Sequence, residues 1–501
     1  MTFEKIKSKI LIQNLLLAFI VLCPILDIAS FLFRKFLGTS ISISTFLRPI
    51  IPIIAAIYIF AKEKDKKPII AVALAYFIYA VCHMYVFWRI KPGCAYSDEL
   101  HEMQYIINYT FMILNLIIYW KFLASKNRND EVKDEEKGRA VLKIRKCALI
   151  SLTIYVLSIY VAILTKTSSF TYEETMTGYK GWFESGNSIG TIILLLLFIV
   201  LPMLSKKYET KYRIWTLMIT ILSGTYLTTL LGTRTGLFGF IVVIGIYAGL
   251  CILKGILNNK KLNKKIILTV LIAIAIIAVA VLTLGSNTLK RRKQLKENED
   301  LIYDPNTNAT AHVTGDIMQI VIKAQNGQID ETYMPQYMQD AYIKLYEMAN
   351  EKNISNTNMR MLQLIYHANL VKEQNNIPMI LFGNGYMSHF YEMILEMEIP
   401  AFLYNFGIVG FFMYFMPFLF IAMYGIYEAI KNIKRISIQG LMAIAGLWFA
   451  IMASLLSGYT FFNSSSMIVI VILSILVVNE MKDLDDEVIK IYKPQKGKTN
   501  G

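Results

Sequence analysis

Along most of the chain, apolar runs of bilayer-crossing length alternate with short polar connections, and each run reads as a transmembrane helix. The spans expected from this pattern are residues 10–33, 41–61, 68–88, 104–124, 147–165, 187–205, 214–231, 235–254, 266–285, 402–427, 438–457 and 464–480. One polar stretch, from Gly285 to about Pro400, interrupts the rhythm between the ninth and tenth spans. Within it Met338–Met348 and Met359–Glu373 carry helical apolar spacing, whereas Asp304-Pro-Asn-Thr-Asn-Ala-Thr310 reads as loop. The expected fold is an all-α polytopic membrane protein of about 12 transmembrane helices, with one large, mostly helical extracytoplasmic loop between spans 9 and 10. The corresponding division is residues 1–285 for the first nine spans, 286–400 for an external cap, 401–480 for the last three spans and 481–501 for a cytoplasmic tail. No internal repeat and no inverted pair of Gly/Pro-broken spans stands out.

Composition agrees with this pattern: 55% of residues are hydrophobic and the mean hydropathy is +0.47, which excludes a soluble protein. A net charge of +15 would suggest nucleic acid in a soluble domain. Here the excess Lys and Arg fall in alternate short connections, such as Lys62 to Lys67, Lys206 to Arg213, Lys254 to Lys265 and Lys431 to Arg435. The positive-inside rule therefore puts these connections, the Lys126–Lys146 stretch and both termini in the cytoplasm. The insert, with 10 Lys/Arg against 14 Asp/Glu over residues 285–400, shows no such bias and is expected outside. The charge reports orientation, and nucleic acid is not an expected partner. The five cysteines build neither a disulfide framework nor a zinc spacing. The N-terminal apolar run is too long for a signal peptide and lacks a small-residue cleavage pattern, so it reads as a retained first span.

Against this apolar background the ionisable residues stand out. Asp27 and Arg48 lie about six and seven residues inside the outer ends of the first two spans, roughly 10 Å deep, where they can pair. A neutralising ion pair is the plainer reading; the functional one has Arg48 also facing an anionic ligand. Arg234 stands where a long apolar stretch breaks at Gly232-Thr-Arg-Thr-Gly236, so free helix N–H groups and a guanidinium converge at the outer end of the eighth span. That chemistry suits phosphate, although an Arg snorkelling at an interface is the bland alternative. In Gly178-Tyr-Lys-Gly-Trp-Phe-Glu-Ser-Gly-Asn187, Trp182 and Phe183 read as interfacial anchors, with Glu184 and Asn187 as candidate contacts to a polar ligand.

In the insert, Arg360 and His367 share a helix face, Arg360 as a second cation and His367 as a satisfied surface residue. After Gly383-Asn-Gly385 come His389, Glu392, Glu396 and Glu398, for which a solvated acidic patch and a functional site are both open. On a helix Glu396 and Glu398 would point about 200° apart, so that one alone faces a cavity squarely. No His/Asp cluster at ligand spacing accompanies them, and a metal site is not expected.

Taken in order, these residues resemble the bacterial O-antigen ligase and polymerase family. The likeness runs through Gly181-Trp-Phe-x-x-x-Asn187, Leu231-Gly-Thr-Arg-Thr-Gly236, an Arg in a large external loop (Arg360), Leu381-Phe-Gly-Asn-Gly-Tyr386 and Asn405-Phe-Gly-Ile-Val-Gly-Phe411. It covers about residues 175–415, with looser matches at Pro24-Ile-Leu-Asp27 and Phe46-Leu-Arg48. Where ligases of this family commonly carry His-Asn ahead of the Gly-x-x-Gly, this chain has Glu396-Met-Glu398, which looks like the variant in Gram-positive capsule or cell-wall polysaccharide polymerases.

The resemblance implies a metal-independent, inverting glycosyltransferase of the GT-C kind, without a cofactor, in the cell membrane and acting on its outer face. It implies a polyprenyl-pyrophosphate-linked glycan as donor, a glycan acceptor, membrane lipid around the chain, and a flippase and chain-length regulator of the same pathway as partners. The roles it implies are catalytic for Glu396, with Glu398 and His389 as further candidates, pyrophosphate-binding for Arg234, Arg360 and Arg48, and supporting for Asp27, Trp182 and Asn187. A polysaccharide flippase or other transporter is the rival from a different class, and a membrane sensor or scaffold is the third. An enzyme should bring Arg234, Arg360 and Glu396 together at the outer face, whereas a transporter should bury its charges near the midplane.

Overall fold

In the computed structural model, residues 3–480 are described apart from 39–42, 64, 91–98, 125–130, 174, 206, 258–263, 303–316, 333, 355–358, 387–392 and 457. Five helices come first: α1 (Phe3–Leu37), α2 (Ile43–Lys62), α3 (Lys67–Ile90), α4 (Glu99–Leu123) and α5 (Glu131–Leu164). A hairpin of β1 (Ser169–Tyr172) and β2 (Thr177–Gly181) leads into α6 (Gly186–Val200), α7 (Thr210–Thr225), α8 (Arg234–Leu257) and α9 (Lys264–Leu284). The polar insert holds α10 (Asn287–Ile302), α11 (Ile317–Gln325), α12 (Gln336–Glu351), α13 (Met359–Gln374) and α14 (Ile377–Phe382). The chain closes with α15 (Glu398–Gly410), α16 (Met416–Lys431), α17 (Ile438–Leu456) and α18 (Ser464–Glu480).

The described part of each expected apolar stretch falls on helix to within a residue or two of its end, and among the described residues 8 helices are long and apolar enough to cross a membrane, or 9 if the bent pair Val270–Leu284 and Asn287–Gln294 counts as one span. That pair bends by 46° at Gly285, whose φ of +72° no helix accommodates. α6 shows why the bundle has a centre: it is apolar all round from Ile189 to Val200, apart from Gly190 and Thr191, and is buried on every face. α18 is buried just as completely, while α3 turns most of its surface outward. A second, smaller core lies in the insert, where Met338, Tyr342 and Leu345 of α12 meet Leu362, Tyr366 and Leu370 of α13.

Two features depart from the all-α expectation. The β1–β2 hairpin sits in the connection between α5 and α6, with Phe170 opposite Tyr179 and their rings 5.4 Å apart. Glu396 is not on a helix at all: α15 begins at Glu398, with Met397 as its extended N-cap, because Pro400 fits only the first helical turn. Further along, Gly407 breaks α15 with φ 69° and ψ −178°, and Tyr79 donates to the carbonyl of Phe406 at 2.8 Å.

Candidate active site

Two backbone junctions place the motifs. In the first, Gly178 (φ +74°) meets the turn after α7, where a Cβ would collide with the carbonyl oxygen of Leu231. Thr171 Oγ1 donates to that same carbonyl at 2.7 Å, so the hairpin holds the Leu231–Arg234 turn from outside the bundle. A five-residue π-helical segment, Tyr226–Leu230, delivers the chain to this turn, and Gly232 completes it with φ +88°. Arg234 is the first residue of α8; it is exposed and makes no hydrogen bond or ion pair among the described residues.

In the second junction, Gly383 and Gly407 cross back to back. Asn384 N–H donates to Tyr404 O at 2.7 Å and Gly385 N–H to Asn405 O at 2.9 Å, and a Cβ on either Gly383 or Gly407 would strike the other strand of backbone. From inside the bundle, buried Glu102 accepts the N–H of Tyr386 at 3.0 Å and shares a 2.6 Å hydrogen bond with buried His83.

Between the two strands of this junction in the chain, the two glutamates have different surroundings. Glu398 is fully buried and accepts the N–H groups of Thr460, Phe461 and Phe462 at 2.6, 2.7 and 2.9 Å. The loop between α17 and α18 thus forms a nest of successive backbone donors around one carboxylate. Gly458 (φ +66°) lies against the carbonyl of Glu396, where a Cβ has no room. Glu396 itself has a side chain 40% exposed; its Oε2 accepts from Arg360 Nε at 3.0 Å, and its backbone N–H donates to Gln363 Oε1 at 3.1 Å. Arg360 also donates from NH1 to Leu456 O at 2.7 Å. Glu396 Oε1 and the remaining nitrogen of Arg360 have no hydrogen bond among the described residues.

Tyr172, on β1, is where these groups converge. Burial pushes its phenol above the ordinary value, Arg291, Arg234 and Arg360 draw it down, and Glu396 adds to the rise, so it stands close enough to feel all four charges. Arg234, Arg360 and Glu396 thus lie within electrostatic reach of one residue, together with Arg291, which the sequence did not single out.

The other candidates sit apart. Arg48 is buried in the bundle, ion-paired with Asp27 and donating to Ser465 Oγ at 2.8 Å. Asp27 Oδ2 also accepts from Tyr155 and Ser465, each at 2.6 Å. The network ends on the first turn of α18, directly after the loop that holds Glu398. Trp182 donates to Thr167 Oγ1 at 2.9 Å, Phe183 packs on Tyr155, and Glu184 pairs with Arg34. Asn187 is half-buried in the first turn of α6 with no hydrogen bond from its side chain among the described residues. His367 is buried rather than on the surface, with Nε2 2.9 Å from the carbonyl oxygen of Met393. His389 lies outside the described residues.

A sequence-family model described as "O-antigen ligase like membrane protein" matches residues 9–483, nearly the whole chain. No curated protein and no solved structure matches it.

Proposed function

Starting from a chain that belongs to the O-antigen ligase-like family of membrane proteins, we propose that it is a glycosyltransferase that polymerises or transfers polyprenyl-diphosphate-linked oligosaccharide units. The family places it among membrane enzymes of glycan assembly; donor, acceptor and mechanism are our reading. The side is the outer face of the cytoplasmic membrane, a reading that the Lys/Arg asymmetry of the connections supports. The product belongs to a surface polysaccharide of the O-antigen or capsule kind, with a flippase supplying the donor and a chain-length regulator acting on the product.

One observation carries the reading: Arg360 and Glu396 are hydrogen-bonded, and both act electrostatically on Tyr172 together with Arg234, which comes from a distant part of the chain. Glu396 accepts the proton of an acceptor hydroxyl through Oε1, which has no hydrogen bond among the described residues. The hydroxyl oxygen then attacks the anomeric carbon, the bond from that carbon to the diphosphate oxygen breaks, and the lipid diphosphate leaves with the electron pair. Attack from the face opposite the leaving group inverts the configuration. Arg234, which has no carboxylate partner among the described residues, meets the diphosphate, and Arg360 bridges it to the base. Because arginine side chains supply the positive charge on the leaving group, no metal is required by this scheme. Glu398 serves by fixing the α17–α18 loop against Glu396, and Arg48 by tethering the following helix through Ser465.

The test uses the full chain in nanodiscs with a lipid-diphosphate oligosaccharide. A ladder of products marks a polymerase and a single transfer a ligase. Translocation of the lipid-linked substrate without turnover would replace this reading by a transporter.

A further inference from the structure

Ser286 and the first two residues of α10 tie the chain to the Arg234 turn and the segment that leads into it. Ser286 Oγ donates to Thr228 O at 2.8 Å, Asn287 Nδ2 to Leu230 O at 3.0 Å and Thr288 Oγ1 to Thr233 O at 3.3 Å. Ser286 and Thr288 are buried, so these bonds replace hydration that the backbone carbonyls have lost. About one helical turn on, Arg291 lays its guanidinium over the Tyr172 ring, 4.5 Å from the centroid, and donates from NH1 to Thr175 Oγ1 at 3.3 Å. Its Nε is buried and has no hydrogen bond among the described residues. Tyr172 adjoins Thr171, whose hydroxyl holds Leu231 O. Arg234 and Arg291 are therefore referenced to the same backbone turn, one through α8 and one through α10.

Among the described residues the charges there do not balance. Three arginines act on Tyr172 against one carboxylate, Glu396, and Arg360 already engages it. Glu173, next to Tyr172, is engaged by Lys180 at 3.1 Å. Neither Arg234 nor Arg291 has an acidic partner among the described residues. Two guanidinium groups near one phenol repel each other, and an anion with at least two charges removes the repulsion and gives each fork a phosphate to bind.

Resting on the glycosyltransferase reading above, we infer that Arg291 is a third ligand-contacting arginine. Arg234 and Arg291 clamp the diphosphate, one phosphate each, and Arg360 holds Glu396. The occupant is a diphosphate, since a single phosphate would leave one fork unfilled, and its lipid follows from the glycosyltransferase reading.

Phenylglyoxal labelling of the full chain in nanodiscs, read by mass spectrometry, tests this without altering a residue. Farnesyl diphosphate should protect Arg234 and Arg291 together. Protection of Arg234 with Arg291 labelled as before overturns the clamp and leaves the glycosyltransferase reading standing; protection of neither removes that reading as well. Equal protection by inorganic pyrophosphate at the same concentration would contradict the lipid-borne assignment. Arg291→Met should weaken farnesyl diphosphate binding about tenfold or more, the range of a charge-assisted hydrogen bond, and Arg291→Lys should fall between. Binding by the Met variant equal to that of the unaltered chain overturns the inference, and if that variant does not fold, the labelling result decides.

Discussion

Gly383 and Gly407 lock two motifs together by backbone contact alone, each sitting where the other's strand leaves no space for a Cβ. One belongs to the segment after α14 and the other to the kink in α15, so the junction, whose two strands flank Glu396 in the chain, fixes the insert to the membrane bundle. Both glycines have positive φ, +91° and +69°, so substitution is strained even before the clash. Gly383→Ala should cost about 1–3 kcal/mol for the backbone conformation, with the collision in addition. The expected result in detergent is a lower thermal midpoint and lower folded yield. An alanine variant that melts with the unaltered protein would show that the junction opens freely.

Arg234→Lys should bind the lipid-diphosphate donor at least several-fold more weakly, because an ammonium cannot reproduce a planar two-pronged fork. Arg234→Ala should be weaker still. Titration with farnesyl diphosphate reads both, and undiminished affinity of the Lys variant would refute bidentate recognition.

The Asp27–Arg48 pair is buried and shares its hydrogen bonds with Ser465 and Tyr155. Removing one partner leaves an uncompensated charge, a loss of about 3–5 kcal/mol in comparable buried pairs. Asp27→Asn and Arg48→Gln should each lower the thermal midpoint more than the two changes combined. Simple additivity in this double-mutant cycle would mean that the charges do not stabilise one another. Because the network ends on α18 and not at Tyr172, donor affinity per folded molecule should change less than stability.

The helices were legible because lipid demands long apolar runs, and α6, buried on all sides, is also apolar on all sides. The expectation that Arg234, Arg360 and Glu396 come together rests on motif order and not on any spacing, since their separations in the chain carry no distance information. The hairpin was hidden because β1 and β2 are only 4 and 5 residues long, too short for alternation to register. Arg291 was hidden in Lys290-Arg-Arg-Lys293, a charge run that looks like a solvated face. Its meaning comes from the three preceding side chains, whose carbonyl partners only the fold supplies. Glu398 and Glu396 were indistinguishable by type; burial under three backbone N–H donors separates the loop-fixing carboxylate from the half-exposed one beside Arg360.

That separation is the centre of the account, and turnover of Glu396→Gln measures it most directly. With Glu396 as general base, the Gln variant should lose about 100 to 10,000-fold in kcat with a lipid-diphosphate oligosaccharide, while farnesyl diphosphate affinity changes little. Glu398→Gln should instead lower the thermal midpoint, by placing an amide against three N–H donors, and should reduce kcat less. A Glu396→Gln enzyme that turns over at close to the unaltered rate would contradict the assignment of the base.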